Sequence, residues 1–238
     1  MTRGAAVVTG GAGGIGRAIL ARLGADGFTP VSWDLSEDAP TAKLALPVDV
    51  TDAKALADAA ARTQAEAGPI RALVLNAGIL GPVARAWETG EADLRRVLDV
   101  NLVSAFLTLA AVVPHMIANA GPDHGRIVVM SSVQANEGTA LSGPYAASKA
   151  GLIALTKVAA KELASEGVLV NAVTPTVVAG AMERSLEPER RADLLARIPM
   201  RRFLEAEEVA AMVGWLCSPA CSFSTGAVFD LSGGRSTS

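Results

Sequence analysis

Tyrosine occurs once in this chain of 238 residues, and cysteine and histidine occur twice each. Each scarcity removes a class of chemistry. Cys217 and Cys221 stand at helical i,i+4 spacing, which gives neither a redox CxxC pair nor a four-ligand zinc set, so both read as small buried apolar residues. His115 and His124 have no cysteine or carboxylate partner at ligand spacing, and no metal site is expected. Only 19% of residues are charged, the formal net charge is -3, and no run of Lys and Arg is present to neutralise a phosphate backbone; nucleic-acid binding is not expected. The longest nearly apolar stretch, Val100 to Val113, is interrupted by Asn101, Ser104 and Thr108 and falls short of the roughly 20 residues a membrane span needs, so it reads as a deeply buried helix. The opening MTRGAAVVTGGAGGIG lacks the regions of a signal peptide, and a cytosolic location is expected.

What is abundant is apolar: half of the residues are hydrophobic, enough for a large core in one domain of 1–238. Short apolar runs alternate with helical periodicity. Strands are expected over Ala5 to Val8, Thr29 to Trp33, Leu44 to Val48, Ala72 to Leu75, Arg126 to Met130, Val168 to Val173 and Ala227 to Leu231. Helices are expected over Ile15 to Leu23, Asp52 to Ala67 with Asp52 as its acidic cap, Glu91 to Asn119, Pro144 to Ser165, Glu187 to Arg197 and Glu205 to Cys217. Continuous rather than alternating apolar strands indicate a sheet covered on both faces, and right-handed crossovers make it parallel. The expected fold is α/β, a doubly wound parallel sheet, with a mobile substrate loop at about 176–202.

Thr9-Gly10-Gly11-Ala12-Gly13-Gly14-Ile15-Gly16 lies where the first strand hands over to the first helix. There Gly10 permits a tight turn, Gly14 lets backbone approach a pyrophosphate, and Gly16 lets helix and strand pack closely, with the helix N-terminus facing the diphosphate. Taken alone, such glycines also fit a plain turn. Asp34, ending the second strand, supplies a carboxylate where adenosine ribose hydroxyls would donate; its alternative is a turn-starting Asp. Asp49-Val50 and Asn76-Ala77-Gly78 follow later strands on the same sheet edge.

Tyr145-Ala146-Ala147-Ser148-Lys149, with Ser132 upstream, forms the most specific constellation. Tyr145 and Lys149 are one helical turn apart, so the ammonium is placed to favour phenolate and lower the phenol's pKa toward neutrality, as a general acid/base requires. Ser132, after a buried strand, can hold the substrate oxygen. A lone Tyr and Lys on a helix are ordinarily a packed ring and a solvated charge; Ser132 and the glycine loop favour the chemical reading.

Together TGGAGGIG, Asn76 to Gly78, Asn101, Ser132, YAASK and Gly233-Gly234 after Asp230 resemble, in order over essentially the whole chain, the short-chain dehydrogenase/reductase family. The resemblance implies a catalytic tetrad of Asn101, Ser132, Tyr145 and Lys149: Tyr exchanges the proton, Lys also binds the nicotinamide ribose, Ser positions the substrate oxygen, and Asn holds a relay water. It implies NAD as cofactor, on Gly10, Gly14, Ile15, Gly16, Asp34, Asp49, Val50, Asn76, Ala77, Gly78, Tyr145, Lys149, Pro175 and Val178, and interconversion of a secondary alcohol and a ketone. Two positions depart from the family pattern: Pro175 is followed by Thr176 where Gly is usual, losing a backbone freedom, and Gly180 stands where Thr commonly contacts the carboxamide. The family's long helices pair between subunits, so the stretch around Phe106 and Leu109 is buried either against its own sheet or in a homo-oligomer. Gln134, Leu141, Val177 and Met182 are the candidate substrate residues; one amide among apolar groups fits a hydrophobic alcohol, a dihydrodiol or a hydroxy ester equally. A non-catalytic NAD-binding regulator and an NAD-retaining epimerase or dehydratase are the competing readings.

Overall fold

Strands that are apolar at every position need cover on both faces. The computed structural model, which describes residues 2–119, 125–184 and 187–236 and the backbone alone at 181–182, provides it. Seven strands, β1 (Ala5–Thr9), β2 (Thr29–Asp34), β3 (Leu44–Pro47), β4 (Ile70–Leu75), β5 (Gly125–Met130), β6 (Val168–Pro175) and β7 (Val228–Leu231), form one parallel sheet in the order β3-β2-β1-β4-β5-β6-β7. Alternate residues of each strand serve opposite layers. Ala5 and Val7 of β1 and Ile127 and Val129 of β5 pack with α2 (Ala53–Ala67), α4 (Ser104–Ile117) and α6 (Gly143–Leu163). Ala6, Val8, Val128 and Met130 pack with α1 (Gly14–Ala25) and α9 (Ala206–Leu216). The doubly wound single domain expected from the sequence is the observed one. The strand order reverses between β1 and β4, which opens a crevice at the carboxyl ends of those strands.

Local chemistry sets the helix ends. Asp52 caps α2 as expected, its Oδ1 accepting the amides of Lys54 at 2.8 Å and Ala55 at 3.1 Å. Glu205 opens α9 through a capping box with Glu208. Cys217 caps the end of α9 and Cys221 lies in the loop beyond it, so the two do not share the helical turn their spacing suggested; both are buried free thiols, and burial pushes that of Cys217 up to about 12.

The single helix expected from Glu91 to Asn119 is continuous to Ile117, but it is not regular. α3 (Glu91–Leu98) and α4 are joined by a π turn, Asp99–Val103, in which the Ser104 amide reaches the Asp99 carbonyl. Nor is the helix deeply buried. Val112 and Met116 are in the core, whereas Phe106 is 54% exposed. Glu91–Ile117 is long and apolar enough to cross a membrane by length and composition, a property that core helices share. Two short helices, α7 (Ala181–Arg184) and α8 (Pro188–Ala196), occupy the segment after β6, and α5 (Gln134–Glu137) follows β5.

Candidate active site

The glycine-rich turn sits at the mouth of the β1/β4 crevice. Gly10 has φ +67°, and a Cβ there would lie 3.0 Å from the Ala77 Cα; at Gly16 a Cβ would meet the Gly10 carbonyl oxygen at 2.2 Å, so neither position admits a side chain. At Gly14, by contrast, nothing lies within 4 Å. That open space beside bare backbone at a helix N-terminus is the cradle a diphosphate needs. Ile15 packs against the α1 side of the core. The turn is stitched to the loop after β4 by Thr9, whose hydroxyl accepts the amides of Asn76 at 3.0 Å and Ala77 at 3.1 Å, while the Asn76 side chain donates to the Thr9 and Gly10 carbonyls.

Asp34 closes β2 beside this turn. Its Oδ2 accepts the Ala12 amide at 3.0 Å and its Oδ1 the Ser36 amide at 3.1 Å, leaving lone pairs on both oxygens for ribose hydroxyls. Arg17 lies at the surface, where it donates to the Ala12 carbonyl and pairs with the exposed Asp38 at 2.9 Å. Asp49 is exposed and held by Thr51, whose hydroxyl and amide keep its carboxyl below the ordinary value. The Val50 side chain is part of the core, so it offers a ligand little beyond its edge.

Three groups of the expected tetrad converge where β5 and α6 meet. Ser132 stands close enough to the Tyr145 phenol to draw its pKa down, and the Lys149 Nζ lies 5.6 Å from the phenol ring centre. Lys149 is buried, donates to the Met130 carbonyl at 2.8 Å, and has its own carbonyl bound by the Ser131 hydroxyl. A Cβ on Gly78 would lie 3.5 Å from that Nζ and 3.2 Å from the Asn101 Oδ1, which locates Gly78 between the two side chains. Asn101 itself grips the Ile79 backbone, accepting its amide at 2.8 Å and donating to its carbonyl at 2.9 Å, and also donates to Ser148 at 3.0 Å. These side-chain bonds fix the loop after β4, and none of them is directed at the phenol.

The expected downward shift of the phenol is not found. Burial pushes Tyr145 above its ordinary value, more than the Ser132 hydrogen bond draws it down, and burial lowers Lys149 to about 8. A Lys149 that loses its proton near 8 is already neutral where a phenol raised above its ordinary value ionises, so it has no charge there to favour the phenolate.

Of the candidate substrate residues, Gln134 accepts the Ser142 hydroxyl at 2.6 Å, which ties α5 to the start of α6. Leu141 is 45% exposed at φ +67°, a strained conformation for an aliphatic residue, and its carbonyl accepts the Ala84 amide. Val177 and Val178 pair with Leu204, and Pro175 accepts the Val133 amide. The Met182 side chain lies outside the described residues, as does His124. Glu183, buried in α7, pairs with Arg191 of α8, whose guanidinium also stacks over Phe203 at 5.1 Å.

Residues 10–236 match the family profile described as enoyl-(acyl carrier protein) reductase. The chain belongs to the short-chain dehydrogenase/reductase family. It is 41% identical over 240 residues to 2-dehydro-3-deoxy-L-rhamnonate dehydrogenase (NAD(+)) of Sphingomonas sp. (strain SKA58), covering 98% of this chain and 95% of that one. It is 38% identical over 239 residues to cis-4-hydroxycyclohexanecarboxylate dehydrogenase of Sinomonas cyclohexanicum, covering 96% and 95%. The crystal structure of NAD+-bound xylitol dehydrogenase superposes with a TM-score of 0.91 at 29% identity, covering 98% of this chain and 99% of that one.

Both departures from the short-chain dehydrogenase/reductase pattern are physically mild. Thr176 needs no glycine-like backbone, because the described non-glycine residues with positive φ are Leu141 and Arg201 alone. Thr176 is buried, with its amide on the Leu231 carbonyl. At Gly180 nothing lies within 4 Å of a built Cβ, so the missing side chain leaves open space. The stitching role of Thr9 and the Arg17–Asp38 pair were missed from sequence. Thr9 had a signal, its place just before the glycines; the pairing of Arg17 had none.

Proposed function

We propose that this enzyme is an NAD-dependent dehydrogenase/reductase that interconverts a secondary alcohol and a ketone, with Tyr145 as the general acid/base. The observation that carries the proposal is the buried Lys149 Nζ, held by the Met130 carbonyl 5.6 Å from the Tyr145 ring centre, with Ser132 at the end of the adjoining strand. In ketone reduction the Tyr145 hydroxyl gives its proton to the substrate oxygen, held by Ser132; in oxidation the phenolate takes the alcohol proton back. Bound NAD would supply the hydride donor and acceptor. The bare backbone at Gly14 and the Asp34 carboxylate support its diphosphate and adenosine ribose, and Gly10, Ile15, Gly16, Asp49, Val50, Asn76, Ala77, Gly78, Pro175 and Val178 are proposed as the rest of its site. Asn101 is proposed to hold the water of the proton relay, while its side chain fixes the Ile79 loop.

The segment 176–202 is proposed as the substrate loop, with Gln134, Leu141, Val177 and Met182 at the pocket. Two relatives carry an acid group in their names, so secondary alcohols bearing a carboxylate head the substrate panel. Buried free thiols suit a reducing, cytoplasmic compartment. The apolar flank around Phe106 supports a homo-oligomer, dimer or tetramer. The test is a panel of hydroxy acids, alicyclic alcohols, polyols and their ketones assayed with NAD(H) and NADP(H) by absorbance. Turnover of none of them by a folded, NADH-binding enzyme would refute the proposal.

A further inference from the structure

Arg235 lies outside the tetrad, yet its side chain is only 5% exposed. A buried guanidinium is costly to desolvate and persists where its partners hold it in a defined geometry. Those partners are specific. Arg235 Nε is 3.1 Å from both carboxylate oxygens of Glu137, Nη2 is 2.7 Å from Glu137 Oε2, and Nη1 is 3.5 Å from the Thr176 hydroxyl. Glu137 ends α5, the short helix that begins beside Ser132: the Gln134 amide donates to the Ser132 hydroxyl at 3.2 Å and the Ala135 amide to the Ser132 carbonyl at 3.0 Å. A four-residue helix is too short to be stable by itself, so something outside it must fix its pose.

The aim of Arg235 is set by the turn before it. Gly233 and Gly234 have φ +63° and +85°, and the Ser236 amide returns to the Ser232 hydroxyl at 3.0 Å. The same turn touches the end of the substrate loop: the Met200 amide donates to the Gly233 carbonyl, and a Cβ on Gly233 would meet the Ile198 side chain at 2.9 Å. Thr176, where the family usually has glycine, supplies the hydroxyl that the guanidinium reaches.

We infer that Arg235 is a positioning residue for Ser132, acting through the Glu137 carboxylate and the α5 helix, with the Gly233-Gly234 turn linking that brace to residues 198–200 of the substrate loop. This rests on the proposed role of Ser132 and Tyr145. Removing the brace lets α5 and the Ser132 hydroxyl drift from the phenol, and a misplacement of about 1 Å at a catalytic group costs on the order of a hundredfold in rate.

Tyr145 is the only tyrosine, so the near-ultraviolet absorbance of tyrosinate reports its ionisation without substrate or cofactor. Arg235→Gln and Arg235→Lys are compared in the Ser132 and Ser132→Ala backgrounds, with folding verified by circular dichroism. In the Ser132 background, the Tyr145 midpoint should rise and kcat should fall by about tenfold or more, with Arg235→Lys less affected and NADH affinity unchanged. In the Ser132→Ala background the same substitutions should move neither quantity. The exchanged pair Glu137→Arg/Arg235→Glu should recover part of the loss. Equal effects in both backgrounds, or a loss that follows NADH affinity, would assign Arg235 a general structural role and overturn the inference. If Arg235→Gln does not fold, Arg235→Lys decides alone by the same comparison. An enzyme without turnover on any alcohol or ketone would count against the proposed function, while the tyrosinate titration would still decide the brace.

Discussion

Replacing Asp34 with alanine should move the enzyme's preference from NAD(H) toward NADP(H), and the size of the shift can be estimated. NADP carries a phosphate of nearly two negative charges on the ribose oxygen that would otherwise donate to Asp34. Two unit charges 4 Å apart repel by about 4 kcal/mol at an effective dielectric of 20. Partial exposure and salt reduce this to about 2 to 3 kcal/mol, or roughly thirty- to two-hundredfold in kcat/KM. The only cation nearby in the glycine-rich segment, Arg17, is engaged by Asp38 at 2.9 Å and by the Ala12 carbonyl, so its relief of that repulsion is partial. Asp34 also accepts the Ala12 amide, and the alanine variant will lose some order in the glycine turn along with the repulsion. Steady-state kcat/KM for both cofactors, in wild type and Asp34→Ala at one ionic strength, is the assay. Equal or better use of NADP by the wild type would refute the reasoning, as would a variant whose cofactor ratio stays where it was.

Tyr145→Phe should lower kcat by at least about a hundredfold while NADH affinity, read by fluorescence titration, stays within about twofold. Burial lowers Lys149 from 10.5 to about 8, so the unfolded chain binds the extra proton between those values and the group's contribution to stability rises with pH across that window. Urea denaturation should accordingly show Lys149→Met losing about 3 kcal/mol of stability relative to wild type between pH 8 and 10.5; a constant difference would mean the ammonium is not desolvated. Gly180→Thr has room for its side chain and should leave Tm unchanged; if the hydroxyl restores one cofactor hydrogen bond, KM for NAD falls by roughly three- to tenfold, and an unchanged KM would place that contact elsewhere.

The parts of the fold legible in sequence are those encoded locally. Runs such as Ala72–Leu75 are apolar throughout because both faces are covered, and Asp52 announces its helix because capping involves only the next few residues. The Tyr145, Lys149 and Ser132 constellation was legible because one helix and one strand end carry it. What stayed hidden depends on contacts between distant segments or on burial. Glu137 and Arg235 are 98 positions apart. The direction of the Tyr145 shift follows from how deeply its ring and Lys149 are enclosed, which residue types alone do not specify. Leu141 adopts a conformation that its side chain disfavours, so no local preference points to it.

The π turn at Asp99–Val103 makes the long helix intolerant of changes in length. One surplus residue per turn shifts everything beyond it by about 100° around the axis, since a regular helix has 3.6 residues per turn. α3 and α4 are therefore out of phase, with Asn101 at the slip, where its amide side chain meets the backbone of Ile79. Deleting a single residue from the turn would restore a regular helix and rotate one half against the other. Either the Val112 and Met116 face would leave the core or Asn101 would swing away from Ile79. Substitutions at many positions of this helix can be absorbed by its neighbours; a one-residue deletion within the turn would cost the enzyme its core or its crevice.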